Sequence, residues 1–104
     1  MSWFIKTEQF KSSTSKINSD QISLHIKDHI EWANTLIKAG EIIISGYLID
    51  EFKKPGGGGF LILQKDSYNK AINLILNDPM IKNNLVDWKL NEYIVCTKNS
   101  MKII

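Results

Sequence analysis

The chain has 104 residues, the length of one domain, and 43% of them are hydrophobic, which is ordinary for a globular protein. Its 13 basic and 11 acidic residues are scattered and leave a net charge of +2, so the basic stripe that nucleic-acid binding needs is missing. The longest apolar runs, such as residues 60–63, are too short to span a bilayer. With Cys96 as the single cysteine, an internal disulfide is excluded and a reducing, cytoplasmic location is expected.

The first half of the chain predicts a strand and a long helix. Residues 3–6 are aromatic and β-branched, as in a strand, and the polar connection at 11–18 ends in residues that favour a helix start. Apolar side chains then recur at helical spacing over about residues 20–39. Gly40 follows and supplies a left-handed end for this helix.

The second half predicts two strands, a helix and a last strand. The strands are expected at about residues 41–48 and 59–64. A second helix, capped by Ser67, is expected to end near Asp78, because Pro79 disfavours helical geometry in the residue before it. A final strand at about residues 86–96 completes the order β-α-β-β-α-β. We expect one domain over residues 1–104, with a core at about 3–96 and a short C-terminal tail at 97–104.

The glycine run at residues 56–59 falls between two predicted strands. It lacks the lysine and the helix start that a phosphate-binding loop uses. We therefore interpret it as a hairpin connection that opens a cleft.

Two strand segments predict a partner chain. Residues 42–44 and 60–63 are continuously apolar, whereas a strand with one solvated face alternates. Two helices cover one face of a four-stranded sheet, so the other face would remain a large apolar patch on a monomer. We predict a homodimer that packs sheet against sheet. The alternative is that residues 101–104 fold over that face, but this segment is too short to cover it.

His29 is the candidate base. It lies in the middle of the apolar arc of the first predicted helix, so its ring faces the sheet. The chain covers a certain height from His29 to the end of the helix, and the following strand returns through the same height. The His29 ring is therefore expected beside residues 46–48, one step before Asp50. A carboxylate at that height accepts from one ring nitrogen and leaves the other as an oriented base. The alternative is a structural histidine bonded to a backbone carbonyl, with Asp50 as a turn residue.

Several of these residues match a known family pattern, in which a helix histidine and a helix-ending glycine precede a strand that runs into Gly-Pro-x-x-Asp. The matching residues are His29, Gly40, Gly46 and Asp50, with Tyr47 where many members have proline. Over roughly residues 3–95 the chain resembles the YCII-related (YciI-like) family. The resemblance implies an α+β, ferredoxin-like protomer that forms a dimeric α+β barrel. It also implies that His29 and Asp50 are the catalytic pair in a cleft beside the sheet.

Two functions remain open at this stage. The first is a small-molecule enzyme of lyase, isomerase or dehalogenase type, in which His29 moves a proton on a small cyclic or enolisable compound. The second is a non-catalytic module that binds a small ligand or a partner in the same cleft. No cofactor is expected, and no metal site either, because His25 and His29 lack a third ligand. The residues expected to line the substrate pocket are Trp32, Gly46, Tyr47, Phe52 and Gly58.

Overall fold

A four-stranded antiparallel sheet carries the helices on one face. The computed structural model describes residues 1–99, and its elements follow one another along the chain. They are β1 (Ser2–Phe10), a 3-10 helix (Ser12–Lys16), α1 (Ser19–Lys38), β2 (Ile43–Ile49), β3 (Pro55–Lys65), α2 (Tyr68–Ile75), α3 (Pro79–Lys82) and β4 (Val86–Tyr93). The strands lie in the order β2-β3-β1-β4. The predicted β-α-β-β-α-β order is confirmed, with the short α3 added between α2 and β4.

The two longer helices begin at side-chain caps. The Asn18 side chain accepts a hydrogen bond from the Asp20 N–H at 2.7 Å, and the Ser67 hydroxyl accepts one from the Lys70 N–H at 3.2 Å. Each cap satisfies a backbone donor that the first helical turn leaves without a partner. Gly40, with φ +99°, follows α1 in the left-handed conformation that the sequence predicted. Among residues 1–99, no helix is long and apolar enough to cross a membrane.

The core lies between the sheet and its helices. Alternate strand residues point toward the helices, as the two-residue period of a strand requires. Phe4, Leu61 and Leu63 on the central strands are almost fully buried against Ala71 and Ile75 of α2. Burying a large apolar side chain contributes about 1.5–3 kcal/mol, so these contacts fix which face of the sheet the helices cover.

The face of the sheet opposite the helices carries an apolar row on β1, β3 and β2, and polar residues on β4, namely Asp87, Lys89 and Asn91. Ile5, Ile62 and Ile44 stand side by side across β1, β3 and β2. The Ile44 side chain remains 47% exposed, although β2 is paired. The predicted apolar residues thus form a row on β1, β3 and β2, and the homodimer that they suggest stays a prediction. The alternative cover, residues 101–104, lies outside the described part of the chain, as does most of the predicted tail.

The glycine run does not form the hairpin connection. Residues 55–65 form one strand, and the hairpin turn comes earlier, at residues 50–54. The strand contains glycines for a steric reason. A Cβ on Gly58, where φ is +88°, would lie 2.2 Å from the Glu8 carbonyl oxygen, and the Gln9 side chain donates to the Gly57 carbonyl at 3.0 Å. The glycines therefore permit a close approach of β1 to β3.

The last strand is shorter than predicted. β4 ends at Tyr93. Cys96 lies beyond it and is exposed, so the apolar pattern around this residue does not extend the sheet. Within β4, Val86 and Leu90 are buried and alternate with exposed polar residues, as a half-buried strand does.

Candidate functional site

His29 projects from α1 toward the sheet, and each of its ring nitrogens has a partner. Nδ1 lies 2.8 Å from Oδ1 of Asp78, and Nε2 lies 2.8 Å from Oγ of Ser45. An ionised carboxylate accepts hydrogen bonds but donates none, so Nδ1 carries the proton. Nε2 of the neutral ring then accepts from the Ser45 hydroxyl. The imidazole is held in one tautomer, with its basic nitrogen directed at Ser45.

Asp78 is placed by the proline that follows it. Its extended backbone and Pro79 at the first helical position start α3, and its Oδ1 accepts from the Met80 N–H at 3.0 Å. The same carboxylate is completely buried and accepts from Lys6 Nζ through Oδ2 at 2.7 Å. One side chain therefore caps a helix, orients His29 and binds a buried cation.

Lys6 anchors the carboxylate from the sheet. It lies on β1, two residues after Phe4 and on the same face, with 1% of its surface exposed. Its ammonium group forms ion pairs with Asp78 at 2.7 Å and with Glu8 at 2.5 Å. A buried charge is costly unless it is paired and hydrogen-bonded, and Lys6 meets both conditions. One cation between two carboxylates leaves a negative charge beside His29, which compensates a proton that the ring takes up.

The electrostatics of Asp78 follow from competing effects. Burial of the carboxyl raises its pKa, but the hydrogen bond from His29 and the charge of Lys6 lower it. The lowering effects prevail, and the pKa of Asp78 is held below its ordinary value of 3.8. The carboxylate is therefore ionised at neutral pH, as the tautomer of His29 requires.

Ser45 forms the open end of this hydrogen-bonded chain. It lies on β2, an edge strand, and pairs opposite the buried Leu61, so its side chain is on the helix side of the sheet. Ser45 itself is exposed, whereas the His29 side chain is 16% exposed and Asp78 is sealed. The Trp32 ring lies 5.7 Å from the His29 ring, tilted by 38°, and walls one side of it. The Asp78 carboxylate is thus shielded from solvent, whereas Ser45 is accessible.

The structure corrects the carboxylate partner predicted for His29. Oδ1 of Asp50 accepts from the backbone N–H groups of Phe52 at 2.8 Å and Lys54 at 3.0 Å, and so holds the β2–β3 turn. The expected His29–Asp50 hydrogen bond is wrong, because Asp78 and Ser45 occupy the two ring nitrogens. The rise along β2 gives the height of Asp50 but does not place the segment between α2 and β4, which supplies Asp78. A catalytic role for any of these groups is a proposal.

The predicted pocket residues are only partly brought together. Trp32 lies against His29, and Tyr47 shares the face of Ser45 two residues further along β2, with its side chain 72% exposed. Gly46 belongs to the opposite face of the strand. Phe52 lies in the β2–β3 turn, 73% exposed. Gly58 lies against β1, where Glu8 and Gln9 fill the space that a side chain would take.

A groove of about 460 Å³ lies elsewhere on the sheet. Residues of all four strands line it, among them Glu8, Leu48 and Trp88, whereas His29 and Ser45 do not. Ion pairs link this groove to the site of His29: Glu8, which lines the groove, pairs with Lys6, and Lys6 pairs with Asp78. Gly57 and Gly59 therefore border a groove, but this groove is not the predicted cleft at His29.

Sequence reasoning missed Asp78, Lys6 and Ser45. The pair Asp78-Pro79 predicts the end of a helix, but an aspartate before proline is also a typical helix start. Lys6 shares the two-residue period of Phe4, which marks it as a lysine on the buried face. Ser45 directly precedes Gly46 of the family pattern, and nothing else in the sequence marks it as a functional residue.

No metal site is formed within residues 1–99. No group of three or more His, Cys, Asp or Glu side chains in this part of the chain is placed to hold a metal ion. His25, four residues before His29 on α1, has a buried Nδ1 without a partner among the described residues.

Comparisons with known proteins identify the class of fold. No protein-family model matches the chain, and no curated protein does. Among solved structures, the chain is similar to 5-chloro-2-hydroxyhydroquinone dehydrochlorinase (TftG) from Burkholderia phenoliruptrix AC1100 in complex with 2,5-dihydroxybenzoquinone. The two share 18% sequence identity with a TM-score of 0.62, over 88% of this chain and 93% of the other. The fold is therefore that of an α+β, ferredoxin-like protomer.

Proposed function

We propose that this protein is a small-molecule enzyme in which His29 is the general base and Asp78, instead of Asp50, is the carboxylate that orients it. The chain of hydrogen bonds from buried Asp78 through His29 to exposed Ser45 carries this proposal. A positioned base typically contributes 10²–10⁴-fold to a rate, provided that it reaches the proton it removes. Nε2 of His29 meets this condition where the exposed Ser45 hydroxyl, which is its partner at 2.8 Å, turns aside for the substrate.

The proposed chemistry is removal of a proton from a small cyclic or enolisable compound. The acidic O–H or C–H group approaches Nε2 of His29, and the proton is transferred to that nitrogen. Asp78 and its ion pair with Lys6 compensate the charge that forms on the ring. Return of the proton to another atom gives an isomerase, and departure of a leaving group such as chloride gives a lyase or dehalogenase.

Two observations support a flat substrate. Trp32 packs beside His29, and the exposed Tyr47 extends the same side of β2, so aromatic surfaces flank the base. The structurally similar protein is named a dehydrochlorinase, and its structure contains 2,5-dihydroxybenzoquinone. A shared fold does not fix a reaction, so we infer the reaction from the geometry of His29 and take only the substrate class from the likeness.

We extend the proposal to assembly and family. Membership of the YCII-related family accounts for the match at His29, Gly40 and Gly46, although the carboxylate partner differs from the expected one. A homodimer through the apolar sheet face would bury the row formed by Ile5, Ile44 and Ile62. A cytoplasmic location stays a prediction from the cysteine content.

Binding and turnover test the function separately. We would titrate the protein with 2,5-dihydroxybenzoquinone, following tryptophan fluorescence, and screen cyclic enols and chlorinated hydroquinones for absorbance change and chloride release. His29→Gln is expected to lower turnover at least 100-fold. Asp50→Asn should retain it, because the amide oxygen still accepts from the turn N–H groups. His25→Gln is the matched histidine control on the same helix.

The outcomes distinguish the two candidate functions. Turnover that is unchanged in a folded His29→Gln variant would overturn the enzyme proposal. Binding that depends on His29, with no turnover of any screened compound, would favour the binding module, in which His29 is a hydrogen-bonding group. Circular dichroism of each variant verifies that the fold is intact.

A further inference from the structure

The Ser45 hydroxyl has no role in the proton transfer proposed above. It nevertheless completes an ordered series of hydroxyl, imidazole and carboxylate, with 2.8 Å between Ser45 and His29 and 2.8 Å between His29 and Asp78. A serine, a base and an orienting acid in this order form the arrangement that activates serine as a nucleophile. That arrangement occurs on unrelated folds and is recognised by geometry.

Ser45 is accessible in the way a nucleophile must be. It lies on an edge strand and is exposed, while the other end of the series is sealed: Lys6 is 1% exposed and Asp78 is completely buried. The hydroxyl is therefore the point at which an electrophile meets the series. Solvent does not compete for Asp78, which stays bonded to His29.

The backbone of β2 supplies a donor for a developing oxyanion. The Gln64 N–H donates to the Ile42 carbonyl at 3.1 Å, which identifies Ile42 and Gln64 as a hydrogen-bonded pair of the antiparallel ladder. Such pairs recur at every second residue, at Ile44 and Gly46. The N–H of Ser45 consequently points away from β3, toward the open edge of the sheet. A carbonyl attached to Ser45 Oγ has this N–H within its reach.

We propose that Ser45 is a nucleophile and that the protein hydrolyses small, unhindered esters with an aryl or short acyl group. Ser45 Oγ forms a bond to the carbonyl carbon, and its proton passes to Nε2 of His29. The bond to the leaving oxygen breaks, and that oxygen takes the proton from His29. Water, deprotonated by His29, then releases the carboxylic acid and restores Ser45. Trp32 and Tyr47 provide the flat surface for the aryl part.

This inference uses the same His29–Asp78 pair as the proposed function, but not its substrate. The experiment uses an alkyl fluorophosphonate, which modifies activated serines, followed by intact-mass measurement and peptide mapping. We expect one adduct per chain, at Ser45, and none in Ser45→Ala or in folded His29→Gln. Asp78→Asn should slow labelling at least 100-fold, because Asn favours the wrong tautomer of His29. Ser23→Ala, an exposed serine on α1, is the control and should label like the wild type.

A second measurement follows the release of 4-nitrophenol from 4-nitrophenyl acetate, with a burst equal to the number of chains. An unlabelled wild-type chain, an adduct at another residue, or equal labelling of folded His29→Gln would each overturn the inference. If His29→Gln does not fold, the wild-type map and Ser45→Ala decide. If the protein is not labelled but still converts a cyclic enol, only this inference is overturned. If Ser45 is labelled but no cyclic enol is converted, only the proposed proton-transfer function is overturned.

Discussion

Asp78 and His29 lie 49 positions apart in the sequence and are joined by a hydrogen bond of 2.8 Å. The carboxylate also caps α3 and pairs with Lys6, so it connects α1, α3 and β1. The residue that orients the candidate base is therefore also a structural centre. Its substitution affects stability and chemistry together, and the tests must separate the two.

Asp78→Asn is expected to destabilise the protein by about 3 kcal/mol. Removing one partner of a buried ion pair typically costs about 3–5 kcal/mol, and Glu8 remains as a second partner of Lys6, which places the effect at the low end. Asp66→Asn is the control, since Asp66 forms an exposed pair with Lys70 and such pairs contribute about 0–1 kcal/mol. Urea unfolding measures both, and a loss below about 1 kcal/mol for Asp78→Asn would contradict the buried network.

The stability of the wild type should fall in acid because of Asp78. Its pKa is lower in the folded protein than in the unfolded chain, where the ordinary value of 3.8 applies. Its contribution is therefore fully present above the unfolded pKa and is lost as pH falls through the folded pKa. Unfolding free energies of wild type and Asp78→Asn, measured from pH 7 to 3, should begin to approach each other below about pH 4. A constant difference across this range would show that Asp78 is not the group responsible.

The tautomer of His29 is a direct test of its partner. The neutral ring should carry its proton on Nδ1, which donates to Asp78, and long-range ¹H–¹⁵N correlations distinguish the two ring nitrogens. Asp50→Asn should leave the spectrum unchanged. Asp78→Asn offers an amide donor to Nδ1 and should move the proton to Nε2. A proton on Nε2 in the wild type would rule out the assigned hydrogen-bond directions.

The sequence predicted the fold better than the site, for a physical reason. The order of helices and strands along the chain and the helix starts depend on local signals, such as the caps Asn18 and Ser67, which act within three residues. The contact between His29 and Asp78 depends on where α3 packs against α1, and no local pattern encodes that. The glycine run was misassigned because its role is to admit Glu8 and Gln9 of another strand, which a turn interpretation overlooks.

Gly58→Ala should destabilise the protein by about 2–5 kcal/mol. The new Cβ would meet the Glu8 carbonyl oxygen at 2.2 Å, and alanine is strained at a φ of +88°. Gly46→Ala is the matched control on the neighbouring strand, because a Cβ there has nothing within 4 Å and the φ is not positive. Thermal unfolding at one fixed protein concentration should separate the two variants. Equal midpoints would contradict the close approach of β1 to β3.

The apolar sheet face predicts a homodimer at micromolar concentration. Ile5, Ile44 and Ile62 lie in one row on the face that the helices leave open, and a patch of this kind is a typical interaction surface. Sedimentation should give twice the chain mass. Ile62→Lys, at the centre of the row, places a charge where the partner packs and should weaken association at least 100-fold, since a buried unpaired charge costs several kcal/mol. Ile37→Lys, an exposed isoleucine on α1, is the control and should remain dimeric. A wild type that sediments as a monomer, or an Ile62→Lys variant that associates as strongly as Ile37→Lys, would remove the sheet face as the interface and leave another surface to be sought.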